Sequence, residues 1–465
     1  MQPAIKEPGS FRDRSNRVFY QDGRVFRALS PEALEDWSFL KSKSFFKTFS
    51  ADGKVVSTQV ASLANLPESE RGWWAGVLEH GHIPFISYPY EWCFGMLRDA
   101  ALLHLELLSA ALPENMVLKD ATAYNVQWKG SQPVFIDIPS FTPWSAGYPW
   151  VGYRQFCELF LFPLLLQAYR DISFQSWLRG SLEGISVEEC SHLLRRDFYR
   201  PGVLKDVLLH NYFQRHYSTT PRSIKEDLRQ TGFHRELIQA NVARLSKIVS
   251  GLTWRTLSSP WNDYGELKHY VPEDKELKRA FVEQVLQSRH RRLVWDLGCN
   301  EGAFSRLAAE YSDYVVAVDS DPKVIEVFYQ SLKKQNSPNI LPLVMNLANV
   351  SSGLGWRGQE RKAFVDRGKP DLILCLALMH HVTITANIPL AEWIQWLSSL
   401  GEELLIEFVS PHDPMVQILL RNKEGEHELY DKTVFESLVS QYFRINQQLP
   451  LKSGYRILYA CSRKG

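Results

Sequence analysis

The chain has 465 residues, which at roughly 150 residues per domain points to two or three compact domains rather than one core. Lys and Arg total 53 against 52 Asp and Glu, a formal net charge of +1, so no global field attracts nucleic acid or an anionic membrane. With 45% hydrophobic and 23% charged residues the composition is that of a globular protein, and disorder is excluded as its main state.

The most apolar run, Phe156 to Ala168, contains Glu158 and Pro163 and falls short of the roughly 20 residues that a membrane helix needs. The first residues alternate charge with Gly and Pro and lack the apolar core of a secretory signal, so the expected location is the cytoplasm. The 6 cysteines are scattered, with no C-x-x-C pair, which argues against a zinc knuckle or a disulfide framework and for reduced thiols.

In chain order, Val18–Leu29 predicts a hairpin turning at Asp22-Gly23. Asp99 to Ala111 predicts an apolar helix free of internal Gly and Pro, and two short strands flank Gly130. Ser173 to Ser250 is helical in pattern. Ser258-Ser259-Pro260 and the loose aromatic residues Trp261, Tyr264 and Tyr270 then interrupt that pattern and mark a boundary. Beyond it, short β-branched runs at Arg292–Leu297, Tyr314–Asp319, Ile340–Val344, Asp371–Leu376 and Glu403–Phe408 alternate with amphipathic stretches, the rhythm of a parallel sheet with crossover helices. A helix near Lys432–Gln441 leads to Phe443–Gln448 and Tyr455–Ser462, which read as an antiparallel hairpin closing the sheet edge. The expected partition is 1–172, a helical extension and linker at 173–271, and an α/β domain at 272–465.

Leu293 to Gly302 places a strand, a turn of small residues and a helix start in succession. Gly298 and Gly302 let backbone approach a ligand closely, and the helix start offers unpaired N–H groups. Twenty-three residues after Asp296, Asp319 ends the next strand, where a carboxylate can accept hydrogen bonds from both ribose hydroxyls of a nucleoside. Asp296-x-Gly298-x-x-x-Gly302 resembles the signature of class I S-adenosylmethionine-dependent methyltransferases, and the resemblance runs from about Lys275 to Gly465.

That resemblance implies a doubly wound, mostly parallel Rossmann-like sheet and S-adenosylmethionine as cofactor. It implies a donor site formed by Asp296, Gly298, Cys299, Asn300, Gly302 and Asp319, with Asn346 and Leu347 bracketing the adenine and Leu376 and Ala377 beside the methionine moiety. Asn300 stands where the family most often has Gly; Asn also tolerates positive φ. Methyl transfer is an in-line displacement that needs alignment, plus a base where the acceptor carries a proton. His380 and His381, following the fourth strand, and Glu407, after the fifth, are the candidate catalytic residues. Tyr264, Tyr270 and Lys278 are candidate lid residues, and no metal is expected. The D/N-P-P-Y pattern of base and amide N-methyltransferases is absent, so the expected acceptor is an oxygen or nitrogen of a small molecule, a glycan or a lipid-linked compound. Nucleic acid is disfavoured.

In the first half, Asp120 and Asn125 lie five residues apart after the long apolar helix, and Asp137 follows twelve residues later at a strand end. This looks like the catalytic segment of protein-kinase-like and aminoglycoside-phosphotransferase-like enzymes, and implies an α+β kinase-like domain with an Mg-ATP site at those residues. The departures are the absence of a Gly-rich loop and of a recognisable strand lysine, with Lys119, Arg27 or Lys47 as substitutes. The whole chain is also similar to bacterial nodulation-associated methyltransferase-like proteins. The expected function is methyl transfer; the alternatives are a phosphotransferase with an accessory methyltransferase half, or a non-catalytic S-adenosylmethionine-binding scaffold.

Overall fold

The computed structural model describes residues 4–217, 234–254, 272–421 and 430–464. They fall into two compact units: Met1–Trp128, Gln132–Arg255 and Leu354–Arg361 in the first, and Lys129–Ser131, Thr256–Gly353 and Lys362–Gly465 in the second. The stretch expected as a separate helical extension thus lies, up to residue 254, within the first unit.

The first unit opens with an antiparallel sheet of β1 (Ile5–Lys6), β2 (Asn16–Gln21), β3 (Arg24–Leu29), β4 (Thr58–Ala61) and β5 (Gly76–His80), ordered β1-β2-β3-β5-β4. The β2–β3 hairpin turns at Asp22-Gly23, both in the left-handed region with φ of 49° and 75°, as a two-residue hairpin turn requires. The long helix spans Phe94–Ala111, five residues more than the sequence predicts. Gly95 sits in its first turn, where glycine's helix penalty is small because that turn's N–H groups are unpaired anyway. β6 (Met116–Leu118) pairs with β9 (Phe141–Pro143), and β7 (Val126–Lys129) forms a hairpin with β8 (Gln132–Phe135) around Gly130. Helices dominate the rest of the unit, so its architecture is α+β.

The second unit is a seven-stranded sheet of β10 (Arg291–Leu297), β11 (Ser312–Asp319), β12 (Ile340–Val344), β13 (Leu372–Cys375), β14 (Glu403–Val409), β15 (Phe443–Pro450) and β16 (Arg456–Arg463). Their order is β12-β11-β10-β13-β14-β16-β15. The first five run parallel, while β16 is antiparallel to β14 and to β15. The predicted strands and terminal hairpin are therefore present within a few residues. Leu293 to Leu297 are buried without alternation, as a parallel strand covered on both faces must be. Strand order reverses between β10 and β13, which opens a crevice at their carboxyl ends.

All 6 cysteines are buried and none forms a disulfide. Among the described residues no helix is long and apolar enough to cross a membrane.

Candidate functional site

The loop after β10 is shaped by its own backbone. Gly298, Asn300 and Gly302 take φ of 77°, 48° and 78°, a left-handed region open to glycine and tolerated by asparagine. Gly298 and Cys299 both donate their N–H groups to the Val318 carbonyl, at 2.9 and 3.0 Å. This ties the loop to the end of β11. Gly302 has no room for a side chain, since a Cβ there would lie 1.9 Å from the Phe328 ring.

Asp319 ends β11, half-buried, and its two carboxylate oxygens accept the N–H groups of Asn300 and Asp321, each at 3.0 Å. A carboxylate has about four lone-pair directions, so acceptor capacity remains for hydroxyl donors. Burial raises the Asp319 carboxyl above its usual range, and the two backbone N–H groups oppose that shift. Asp296 is buried on β10 and accepts from Ser305 Oγ at 2.6 Å. Burial pushes its pKa up to about 6, against the Ser305 hydrogen bond and with help from the Asp319 charge. Cys299 is buried, and its thiol is held well above the usual range by burial and by the two nearby aspartates.

The loop after β12 joins the same edge, with Met345 N–H donating to the Asp319 carbonyl at 2.7 Å. Asn346 is exposed and accepts from Ala348 N–H at 2.9 Å, while Leu347 is buried. After β13, Leu376 is buried and Ala377 has φ of 52°. An L-residue with a Cβ is strained there, and strain of this kind concentrates at functional sites. Leu378 from this loop comes to 3.0 Å from the position of a Cβ on Gly298, so the loops after β10 and β13 close on each other.

His380 and His381 stand side by side, with ring centroids 4.2 Å apart. His380 is buried and its Nδ1 has no hydrogen-bond partner. Burial lowers both pKa values, His381 to about 4, with Arg456 contributing. Both rings are therefore neutral at pH 7.

Glu407 is fully buried on β14; its Oε2 accepts from Lys278 Nζ at 2.6 Å and its Oε1 lies 3.5 Å from Arg456. Arg456 in turn bonds Asp413 at 2.8 Å. Lys278, expected at a lid, is instead buried in this network, because Glu407 on an otherwise apolar strand needs a cation. Tyr264 and Tyr270 lie outside the described residues. The sequence reading passed over Lys278, Arg456 and Asp413 as partners; the available signal was a lone acid within Leu404–Val409.

In the first unit, Asp120 follows β6, Asn125 ends a short 3-10 turn (Ala123–Asn125) and Asp137 follows β8. Of the three proposed substitutes for the missing lysine, Arg27 faces Asp137, with Nη1 at 2.9 Å from Oδ1 and 2.7 Å from Asn16 Oδ1. Lys119 pairs with Asp13 at 3.3 Å, and Lys47 is exposed. Burial and the Asp137 charge raise the Asp120 carboxyl, against Lys119.

No protein-family model matches the chain. The nodulation protein NoeA of Rhizobium meliloti (strain 1021) is 33% identical over 458 residues, covering 98% of this chain and 95% of that protein. The chain belongs to the NoeA family. An uncharacterized protein of Methanothermobacter thermautotrophicus is 45% identical over 195 residues, 40% of this NoeA-family chain and 71% of that protein. Among solved structures, the N-methyltransferase NodS of Bradyrhizobium japonicum WM9 in complex with S-adenosyl-L-homocysteine has a TM-score of 0.33 at 12% identity, covering 45% of this chain and 94% of that one. Magnesium protoporphyrin IX methyltransferase (ChlM) of Synechocystis PCC 6803 with bound S-adenosylhomocysteine has a TM-score of 0.30 at 16% identity, covering 45% and 91%. The doubly wound sheet of this NoeA-family member rests on its own strand order.

Proposed function

We propose that the second unit binds S-adenosylmethionine and transfers its methyl group to an oxygen, or a nitrogen, of a small-molecule, glycan or lipid-linked acceptor, in the cytoplasm. The observation that carries this reading is the Asp319 carboxylate, fixed by Asn300 and Asp321 N–H groups beside a loop whose glycines hold a left-handed backbone. Such an acidic group at the end of the second parallel strand suits the two hydroxyls of a ribose. Asp296, Gly298, Cys299, Asn300 and Gly302 would form the floor of the donor site, Asn346 and Leu347 its adenine side, and Leu376 and Ala377 its methionine side.

Bound S-adenosylmethionine supplies a sulfonium methyl group for in-line displacement. The chain's own task is alignment and the exclusion of water. His380 and His381, neutral at pH 7, fit the wall on which an acceptor rests, and His381 can take the proton that a hydroxyl acceptor releases. Glu407 is committed to Lys278 and Arg456, so its role is to fix the ground beneath that wall. The name of the relative carries nodulation over as the biological setting.

Calorimetry of S-adenosylhomocysteine on wild type and Asp319→Ala tests the reading. Two hydrogen bonds to a charged acceptor are worth roughly 3 kcal/mol, so the substitution weakens binding by about a hundredfold. Unchanged affinity would refute the site.

A further inference from the structure

The first unit holds a cation that its own side chains leave unmatched. Arg361 is only 6% exposed, and its Nε and Nη1 are buried without a hydrogen-bond acceptor. Among the described residues no carboxylate pairs with it. The nearest charge to act on it is Glu360, whose carboxylate is already taken by Arg12 and by Trp356 N–H, the latter at 3.0 Å. The guanidinium carbon lies 5.6 Å from the Tyr124 ring centroid. A ring face returns less than a buried, unpaired guanidinium loses by leaving water.

The backbone that presents Arg361 is fixed. Leu354 and Arg361 exchange backbone hydrogen bonds at 2.9 and 3.0 Å. The Glu360 carbonyl lies 2.5 Å from the position of a Cβ on Gly9, so only glycine fits there.

Next to Tyr124, Asn125 also has a buried nitrogen, Nδ2, with no partner. Both unmatched groups are donors. Glu91, whose charge reaches Tyr124, accepts the Tyr88 N–H at 3.0 Å. What the site lacks is an oxyanion. On the aromatic side, Tyr88 lies 6.3 Å from Tyr124 and stacks on Tyr90 at 5.5 Å.

We infer that Arg361, set against Tyr124, anchors a binding site for a phosphate ester. A phosphate presents several acceptor oxygens to the unspent donors of Arg361, and a guanidinium is its preferred partner. The ester's organic part rests on the tyrosines. The site belongs to the first unit and stands or falls apart from methyl-donor binding in the second.

The test is calorimetry on the full-length chain with adenosine triphosphate, glucose 1-phosphate and inorganic phosphate, each with and without magnesium, on wild type and Arg361→Gln. One ester binds wild type, and the substitution weakens it at least about tenfold. Preference for the triphosphate assigns a nucleotide, and preference for the sugar phosphate assigns a glycosyl phosphate. Absence of binding by all three probes at about 1 mM, or equal affinity in the variant, overturns the proposal. Thermal melting of Arg361→Met without ligand guards against a folding artefact: removing an unmatched buried charge raises the midpoint and abolishes the ester's stabilising shift. A lowered midpoint in the absence of ligand means a structural arginine and also overturns it.

Discussion

Replacing Lys278 by methionine keeps the aliphatic volume and deletes one charge of the buried pair. Glu407 is then left fully enclosed, with the remaining cation of its network, Arg456, 3.5 Å away and already bonded to Asp413 at 2.8 Å. Breaking a buried ion pair on one side costs about 3 to 5 kcal/mol; with Arg456 still close, the lower end applies. Roughly 3 kcal/mol corresponds to a local opening equilibrium about two decades larger. Amide hydrogen exchange of the peptide covering Glu403–Val409 reads that equilibrium in the unit concerned, whatever the other unit does. The double variant Lys278→Met/Glu407→Leu removes both charges and leaves Arg456 with Asp413, so its exchange returns to within about tenfold of wild type, since an apolar replacement of a buried pair is often neutral. If the single variant exchanges at the wild-type rate, or the double variant as fast as the single, the buried pair is not coupled as the geometry requires.

Two further outcomes follow from β10 and the loop after it. Asp296 has its carboxyl raised to about 6 in the folded chain, against about 4 when unfolded. Between those values the folded chain holds a proton that the unfolded chain has lost, so this group's contribution is most favourable at low pH. It falls by roughly 3 kcal/mol as pH rises through 6. Asp296→Asn keeps an acceptor for Ser305 and has no proton to lose; in urea denaturation its stability relative to wild type therefore climbs between pH 4 and 7, and a pH-independent difference counts against the assignment. Gly302→Ala adds left-handed strain and drives a Cβ to 1.9 Å from the Phe328 ring, which together cost about 2 to 5 kcal/mol. Gly298→Ala, which meets the flexible end of Leu378 at 3.0 Å, costs less. Melting midpoints that rank the two variants the other way would contradict the loop geometry.

The second unit was readable because its signals are local. Leu293 to Trp295 and Val315 to Val318 announce doubly covered strands by apolar continuity, Gly298 and Asp319 sit at strand ends, and Gly302 opens the following helix. In the first unit, the turn signal at Asp22-Gly23 and an uninterrupted apolar run located a hairpin and a helix, while its α+β class was only what the resemblance implied. The helix start at Phe94 was misplaced because a glycine reads as a break unless its place in the first turn is known.

Sequence alone therefore determined the strand order's raw material, the glycine loop and the acid that faces it. Only the tertiary structure decided which charges meet. Lys278 and Glu407 are 129 residues apart in the chain, and Arg27 and Asp137 are 110 apart; no periodicity links such positions, because their pairing is set by how helices and sheets stack. The same holds for Arg361, whose sequence neighbours give no hint that its guanidinium ends against Tyr124 with donors unspent. Local backbone preference acts over a few residues, whereas the cost of an unmatched buried charge exists only once the chain has enclosed it.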